Sequence, residues 1–581
     1  MRKARICFIV VTSFIIALTG CKSRDCHSEE DRSETAVQFT DITEQVGLNF
    51  VHDPGVDGSY FMPECLGSGG AYFDYDNDGD LDIYLINSGP HSKKGLSRQR
   101  ARNRLFRQEE DGVFSEVTEA SGLGDTGYGM GVAISDIDND GYRDVYISNY
   151  GPDALYRNNG DGTFSNITKL AGIDNPYWGC SVTFFDYNLD GYLDIYVTNY
   201  VSFDPKSVCL DRAGRPDYCG PDGVPGVPDV LFRNRGDGTF ADVSIESNIA
   251  SIASKGLGVV SADFNGDGLP DIYVANDRQP NQLWLNQGDG TFQDHALLLG
   301  AALNEMGRPE SGMGIALGDA DNDGDLDLFI THWRTESNTF YRFMGDYGYQ
   351  DNSVTAGLAW QSLPYTGFGT GFFDYDNDGD LDLAVANGRV TRGPLLADNE
   401  VKGYWDEYSE PNFLFENDAN GRFNVLPAAA TCFSRPIENS RGLAFGDVDN
   451  DGDIDLLVTT NGGRVRLFRN DVKSKGHWLI VNAVDASIQR DAIGANVTVI
   501  MGEKRISRLV TSGYSYLSSS DPRTHFGLGE ATTVDRIEVR WPDGHIEIFA
   551  GVKSDQIITL KKGESKSINL DLHKTEEIKI K

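Results

Sequence analysis

The stretch Asp74-Tyr75-Asp76-Asn77-Asp78-Gly79-Asp80-Leu81-Asp82 decides how this chain is read. Carboxylates at alternate positions 1, 3 and 5 converge on one hard cation, and glycine at position 6 permits the sharp turn that brings them together. Position 7 offers a main-chain carbonyl, and Asp at position 9 closes the set. Ligands that are all oxygen suit calcium and disfavour zinc or copper. An EF-hand would need Glu at position 12 and flanking helices. Here position 12 is Leu85, and Leu81-Asp82-Ile83-Tyr84-Leu85-Ile86 is β-branched and aromatic, so the loop joins strand to strand.

The pattern recurs from Asp136, Asp186, Asp263, Asp319, Asp374 and Asp447, at intervals of 62, 50, 77, 56, 55 and 73 residues. Position 12 is apolar in every copy: Ile147, Val197, Val274, Ile330, Val385 and Val458. Repetition on this scale marks a repeat architecture. The expected ligands in the first loop are Asp74, Asp76, Asp78, Asp80 and Asp82. In the second they are Asp136, Asp138, Asp140, Tyr142 and Asp144, and in the third Asp186, Asn188, Asp190, Tyr192 and Asp194. The fourth offers Asp263, Asn265, Asp267, Leu269 and Asp271, and the fifth Asp319, Asp321, Asp323, Asp325 and Asp327. The last two offer Asp374, Asp376, Asp378, Asp380 and Asp382, then Asp447, Asp449, Asp451, Asp453 and Asp455. Up to seven calcium ions are expected, more weakly held where Asn188 and Asn265 replace Asp.

Each repeat carries two further strand-like runs, such as Leu155-Tyr156-Arg157 and, after a glycine turn, Phe164-Ser165-Asn166-Ile167-Thr168. The first copy of the latter, Phe39-Thr40-Asp41-Ile42-Thr43, precedes every Asp loop. The last copy of the former, Leu467-Phe468-Arg469, follows them all. Pairing these ends closes a ring and protects its edges. The fold expected is all-β: a seven-bladed β-propeller over 38–472 with calcium-binding loops, followed by a small β domain over 473–563, where period-2 runs such as Val497-Thr498-Val499-Ile500 alternate with turns. A charged tail spans 564–581.

Met1-Arg2-Lys3-Ala4-Arg5 precedes an apolar run from Ile6 to Leu18, which reads as a secretory signal and is short for a membrane span. Leu18-Thr19-Gly20-Cys21 resembles the bacterial lipobox. A lipoprotein signal over 1–20, lipidation of Cys21 and a flexible tether over 21–37 are therefore expected, with an envelope, outer-membrane or cell-surface location and no other membrane contact. Export permits disulfides, and Cys209 and Cys219, which bracket a Pro/Gly-rich loop, are the expected pair. The formal net charge of −37 repels nucleic acid, and part of that acidity is a metal-loading requirement.

Gly69-Gly70-Ala71-Tyr72-Phe73-Asp74 with its following loop, and Asn158-Asn159-Gly160-Asp161-Gly162-Thr163-Phe164, resemble FG-GAP (integrin α-type, or VCBS) repeats. His477-Trp478-Leu479, Arg490-Asp491-Ala492-Ile493-Gly494-Ala495, Gly513-Tyr514-Ser515, His525-Phe526-Gly527-Leu528-Gly529 and the run Val534 to Gly544 look like the ASPIC/UnbV domain. The combination is similar to the cartilage acidic protein family, including its bacterial members. That resemblance implies calcium binding and extracellular adhesion or recognition, without naming a ligand. Arg490, Asp491 and His525 are as well explained by a structural ion pair as by catalysis.

Strands of about 17 Å separate each Asp loop from the opposite end of its blade. The loops there are polar and aromatic. Candidate ligand contacts are Asn276, Asp277, Arg278, His332, Trp333, Arg334, Glu336 and Asn387, although Asn also braces its own turn. The function expected is recognition of a glycan or an extracellular protein, without enzymatic activity. Two alternatives stand beside it: a propeller-type polysaccharide lyase or hydrolase using His332 with Glu336 or Asp277, and a structural envelope protein.

Overall fold

A computed structural model describes residues 39–89, 101–396, 403–473 and 475–565. The signal, Cys21, the tether and nearly all of the charged tail lie outside the described residues.

Seven four-stranded antiparallel sheets fill Phe39–Asn470. A representative sheet runs Gly129–Ser135, Asp144–Asn149, Ala154–Asn158 and Phe164–Asn166, in that spatial order. The innermost strand of each sheet packs on that of the next, and Ser440–Gly446 packs back on Gly70–Phe73. The last sheet is completed by the first strand among the described residues, Phe39–Asp41, which pairs with Arg466–Asn470 in the register Phe39 to Asn470. Arg466 holds that seam by bonding Asp41 at 2.7 Å and Glu438 at 2.5 Å.

The inner strands carry glycine because the sheets meet backbone to backbone. A Cβ on Gly258 would lie 2.2 Å from the carbonyl of Met313, and one on Gly314 would lie 2.0 Å from that of Phe368.

An amide at the end of the third strand hooks six of the seven sheets to the one before it. Asn158, Asn234, Asn286, Asn417 and Asn470 donate at 2.7–2.8 Å to the carbonyls of Tyr75, Ile137, Tyr187, Ala320 and Tyr375, and Gln108 donates to Val448 at 3.0 Å across the seam. Phe343 holds the equivalent place in the fifth sheet and has no side-chain donor.

The C-terminal region forms two further sheets. One orders Arg490–Asp491, His477–Asp485 and Thr524–Gly529, with Gln556–Lys561 added in parallel to His477–Asp485. The other orders Lys504–Leu509, Asn496–Met501, Arg536–Arg540 and Ile546–Ala550. Its core is continuous with the ring: Leu479, Val497, Ile537 and Trp541 share one apolar cluster with Phe184, Ile195 and Phe232. Sequence periodicity suggested an appended domain, but the structure inserts part of it into the propeller. The segment 511–522 enters the centre of the ring and bonds six of the seven innermost strands. Ser519 exchanges hydrogen bonds with Gly70 and Tyr72, Ser515 does so with Ile315, and Leu517 accepts from Val132. Asp521 donates to Phe445, Thr370 donates to the Ser515 hydroxyl, and Leu517 donates to that of Ser181. Inner edges that would otherwise present unpaired backbone groups are thereby satisfied.

Candidate metal loops and recognition face

The seven Asp loops share one frame. The position-1 carboxylate accepts from the N–H groups at positions 5 and 6, as Asp136 does from Asp140 at 3.3 Å and Gly141 at 2.9 Å. The position-9 carboxylate is buried and accepts twice, once from position 2 of its loop and once from the third strand. Asp144 takes Ile137 N–H at 2.9 Å and Asn158 N–H at 2.7 Å, and the other six position-9 residues repeat both bonds. Position 9 therefore ties loop to blade as well as facing the centre. The glycine at position 6 is left-handed throughout, with φ from 87° to 98°. So is position 4, a feature not read from the sequence: Asn77, Asn139, Asn322, Asn377 and Asn450, but also Leu189 and Gly266, have φ between 55° and 75°.

Three carboxylate oxygens come within 4.8 Å of one another in five loops: Asp74, Asp76 and Asp78; Asp136, Asp138 and Asp144; Asp319, Asp321 and Asp323; Asp374, Asp376 and Asp382; Asp447, Asp449 and Asp455. The loops at Asp186 and Asp263 form no such group among the described residues. There Asn188 and Asn265 donate to Asp190 and Asp267 at 2.9 Å.

The donor set fits a divalent cation. Asp76 Oδ1 and Asp138 Oδ1 are buried without a hydrogen-bond partner among the described residues. Burial, with repulsion between neighbouring carboxylates, pushes Asp374 up to about 7; burial likewise takes Asp82, Asp194, Asp271 and Asp327 to about 8. Clustered carboxylates whose ionised form is disfavoured call for a positive charge among them.

Five position-4 asparagines reach round the ring to the next loop: Asn77 to Gly141 and Asn139 to Gly191 at 2.9 and 3.0 Å, Asn322 to Asp380, Asn377 to Asp453, and Asn450 to Asp80. Leu189 and Gly266, which lack the amide, stand in the two loops that also lack the third carboxylate. The C-terminal domain docks on this face. Arg490 bonds Asn139 Oδ1 at 2.9 Å, Arg523 bonds Asn450 Oδ1 at 2.9 Å, and Asp491 pairs with Arg143 at 3.0 Å. His525 bonds the Gly452 carbonyl, and burial holds its ring neutral, with its pKa down at about 4. All three residues weighed for catalysis thus make docking contacts.

The opposite face gathers the recognition candidates. Asn276 and Asn387 are buried and brace their own turns, donating to the carbonyls of Pro280 and Pro411 at 2.9 and 2.8 Å. His332 is buried, with Nε2 3.1 Å from Thr339 Oγ1; the carboxylate near it is Glu310, at 3.6 Å, and not Glu336. Glu336 accepts from Ser311 N–H at 2.8 Å, and Asp277 accepts from the Tyr200 hydroxyl at 2.5 Å. Arg278 and Arg334 stand over the Trp333 ring, at 5.1 and 5.9 Å from its centroid. The insertions on either side meet above the ring. Cys209 and Cys219 form the expected disulfide, and Asp217 of that hairpin accepts from the Tyr408 hydroxyl at 2.7 Å. Tyr218 stacks on Trp405 with centroids 6.0 Å apart.

These features define a class: an FG-GAP-repeat β-propeller joined to an ASPIC/UnbV domain. Residues 74–147, 136–197, 210–274 and 263–330 match the FG-GAP-like repeat family, and 486–567 match ASPIC and UnbV. The chain is similar to cartilage acidic protein 1. It is 27% identical to the Mus musculus protein over 554 residues, covering 89% of this chain and 76% of the relative. It is 26% identical to the Homo sapiens protein over 532 residues, covering 87% and 72%. A solved Agrocybe aegerita lectin aligns at TM-score 0.35 and 17% identity, over 62% of this chain and 80% of its own. No helix among the described residues is long and apolar enough to cross a membrane.

Proposed function

We propose that this chain is a calcium-loaded, extracytoplasmic recognition module, held to the envelope by lipid on Cys21, that binds a glycan or an extracellular protein on the face opposite its Asp loops. The observation that carries this reading is the division of labour between the two faces. The Asp-loop face is occupied by the C-terminal domain. The other presents Trp333 with its two arginines on a rim stiffened by a disulfide and by turns braced from within. Loops on a rigid scaffold are suited to recognition. His332 and Glu336, the pair weighed for catalysis, are engaged with other partners, which favours binding over turnover.

The test is an array of glycans and envelope proteins probed with the chain from residue 22, with calcium and with chelator. Calcium-dependent binding lost in Trp333→Ala supports the reading. Turnover of a polysaccharide refutes it in favour of a lyase or hydrolase.

A further inference from the structure

Of the eight recognition candidates, Arg334 is the one whose chemistry is least spent. Arg278, Arg389 and Arg392, its neighbours on this face, each meet a carboxylate: Asp222 at 3.0 Å, Glu410 at 2.8 Å and Glu407 at 3.2 Å. Among the described residues, Arg334 has no carboxylate within 4.0 Å. Its side chain makes one long bond, Nη2 to the Arg392 carbonyl at 3.5 Å, and its backbone N–H bonds the Thr366 hydroxyl at 3.3 Å. It is partly buried beside an indole that is itself partly buried. A half-desolvated guanidinium with several donors unspent favours an anion. The adjacent Trp333, already stacked by Arg278 and Arg334 but only partly buried, offers its remaining indole surface to a flat apolar face. One ligand chemistry satisfies both demands at one place.

We propose that Trp333 and Arg334 seat an anionic sugar residue, the indole lying against its ring and the guanidinium binding its carboxylate or sulfate. This rests on the recognition reading above and narrows it from any glycan to an acidic one. The chain's net charge of −37 does not exclude such a ligand. Among the described residues Arg334 is left without a carboxylate beside the paired Arg278, Arg389 and Arg392, and the remaining acidity restricts a polyanion to contact at this point. Burial, then repulsion from Arg389 partly offset by Glu410, holds the Arg334 pKa below its ordinary value, and a bound anion would favour its charged form.

The experiment measures binding of the calcium-loaded chain from residue 22 to immobilised polygalacturonate, dextran sulfate and neutral dextran. The expected result is binding to one or both acidic polymers and none to dextran, weakened about tenfold or more by Arg334→Ala, as loss of a charge-assisted pair requires. Trp333→Ala weakens binding similarly. Arg334→Lys retains charge but loses the planar fork and falls between. Arg505→Ala, at an exposed arginine of the C-terminal domain, changes nothing. Binding to polygalacturonate alone assigns a uronate; binding to dextran sulfate alone assigns a sulfate. Acidic-polymer binding unchanged in a folded Arg334→Ala protein overturns the proposal. Binding of neutral sugars only, lost in Trp333→Ala, overturns the anionic class while leaving the recognition reading intact. Failure to bind any saccharide overturns it too, and a protein partner recovered by cross-linking at Trp333 then preserves the broader reading.

Discussion

Removing the side chain of Tyr516 tests whether the C-terminal segment holds the centre of the ring together. Tyr516 is fully buried. Its ring meets Phe368 edge-on with centroids 5.0 Å apart, and its hydroxyl donates to the Leu66 carbonyl at 3.1 Å. Tyr516→Phe keeps the packing and leaves that buried carbonyl without its donor, at a cost of about 1–2 kcal/mol. Tyr516→Ala adds a large cavity, about 3–5 kcal/mol, and forfeits an aromatic pair of about 1 kcal/mol. Denaturant unfolding of the three proteins should therefore rank native, Phe and Ala, with the second step the larger. The signature is positional. The amides of Tyr72, Val132 and Ile315 donate to carbonyls of the inserted segment, so their hydrogen exchange should quicken in Tyr516→Ala, although they belong to three different sheets. An Ala variant within about 1 kcal/mol of native, with those amides unchanged, would refute the seating of this segment in the ring.

Other expectations follow from the loops and from one buried histidine. Chelator should lower the melting temperature, and calcium at a hundredfold excess over its Kd should restore about 2.7 kcal/mol per filled site. Titration calorimetry should find Asp138→Ala short of one equivalent and Asn188→Asp gaining one, because Asn188 stands where five other loops place a third carboxylate. An unchanged count in both would show that the loops do not bind as assigned. Asn139→Leu removes the bonds to Gly191 and from Arg490 and forces leucine into φ near 61°. It should cost about 2–4 kcal/mol by chemical denaturation. His52 is buried, bonded to Ser88 and Gly462, and burial followed by Arg441 lowers its pKa to about 3. The folded pKa lies below the unfolded value near 6.5, so the unfolded chain takes up the proton first. The stabilisation is complete above about pH 6.5 and is lost as pH falls toward 3, by about 2 kcal/mol at pH 5. His52→Gln should flatten that part of the pH–stability curve by one proton, and an unaltered slope would assign the acid sensitivity elsewhere.

The repeat was legible because its chemistry is periodic. Carboxylates at alternate positions, glycine at position 6 and an apolar position 12 recur together, and the strand copies before the first loop and after the last one pointed to the closing pair. The insertion of 511–522 was not legible. Thr511-Ser512-Gly513-Tyr514-Ser515-Tyr516-Leu517-Ser518-Ser519-Ser520 lacks a sustained period of 2 or 3.6, and its bonds go to strands from about 75 to more than 400 residues away. Nor could sequence tell a ligand-binding asparagine from a bracing one. Asn276 and Asn387 end their strands as a ligand contact would, yet each donates to a proline carbonyl a few residues to a few tens of residues on. The prolines Pro280 and Pro411 were the available signal. The asparagine at position 4 was visible in five loops, but its role depends on a left-handed φ that only the three-dimensional turn reveals.

The seam between Phe39–Asp41 and Arg466–Asn470 also sets an order of events during synthesis. The first strand emerges with no partner, and its partner is more than four hundred residues away. Intermediate sheets can form as they appear, because each is built from neighbouring stretches of chain, whereas the final sheet waits for both ends. The central segment comes later still, so the inner edges stay open until residues 511–522 have been made. A truncation before residue 466 would leave an open arc with a lone strand at one end and an unfinished two-stranded sheet at the other, the kind of exposed edge that invites another molecule to add itself. For this protein, closing the ring waits on a strand made more than four hundred residues after the one it must meet.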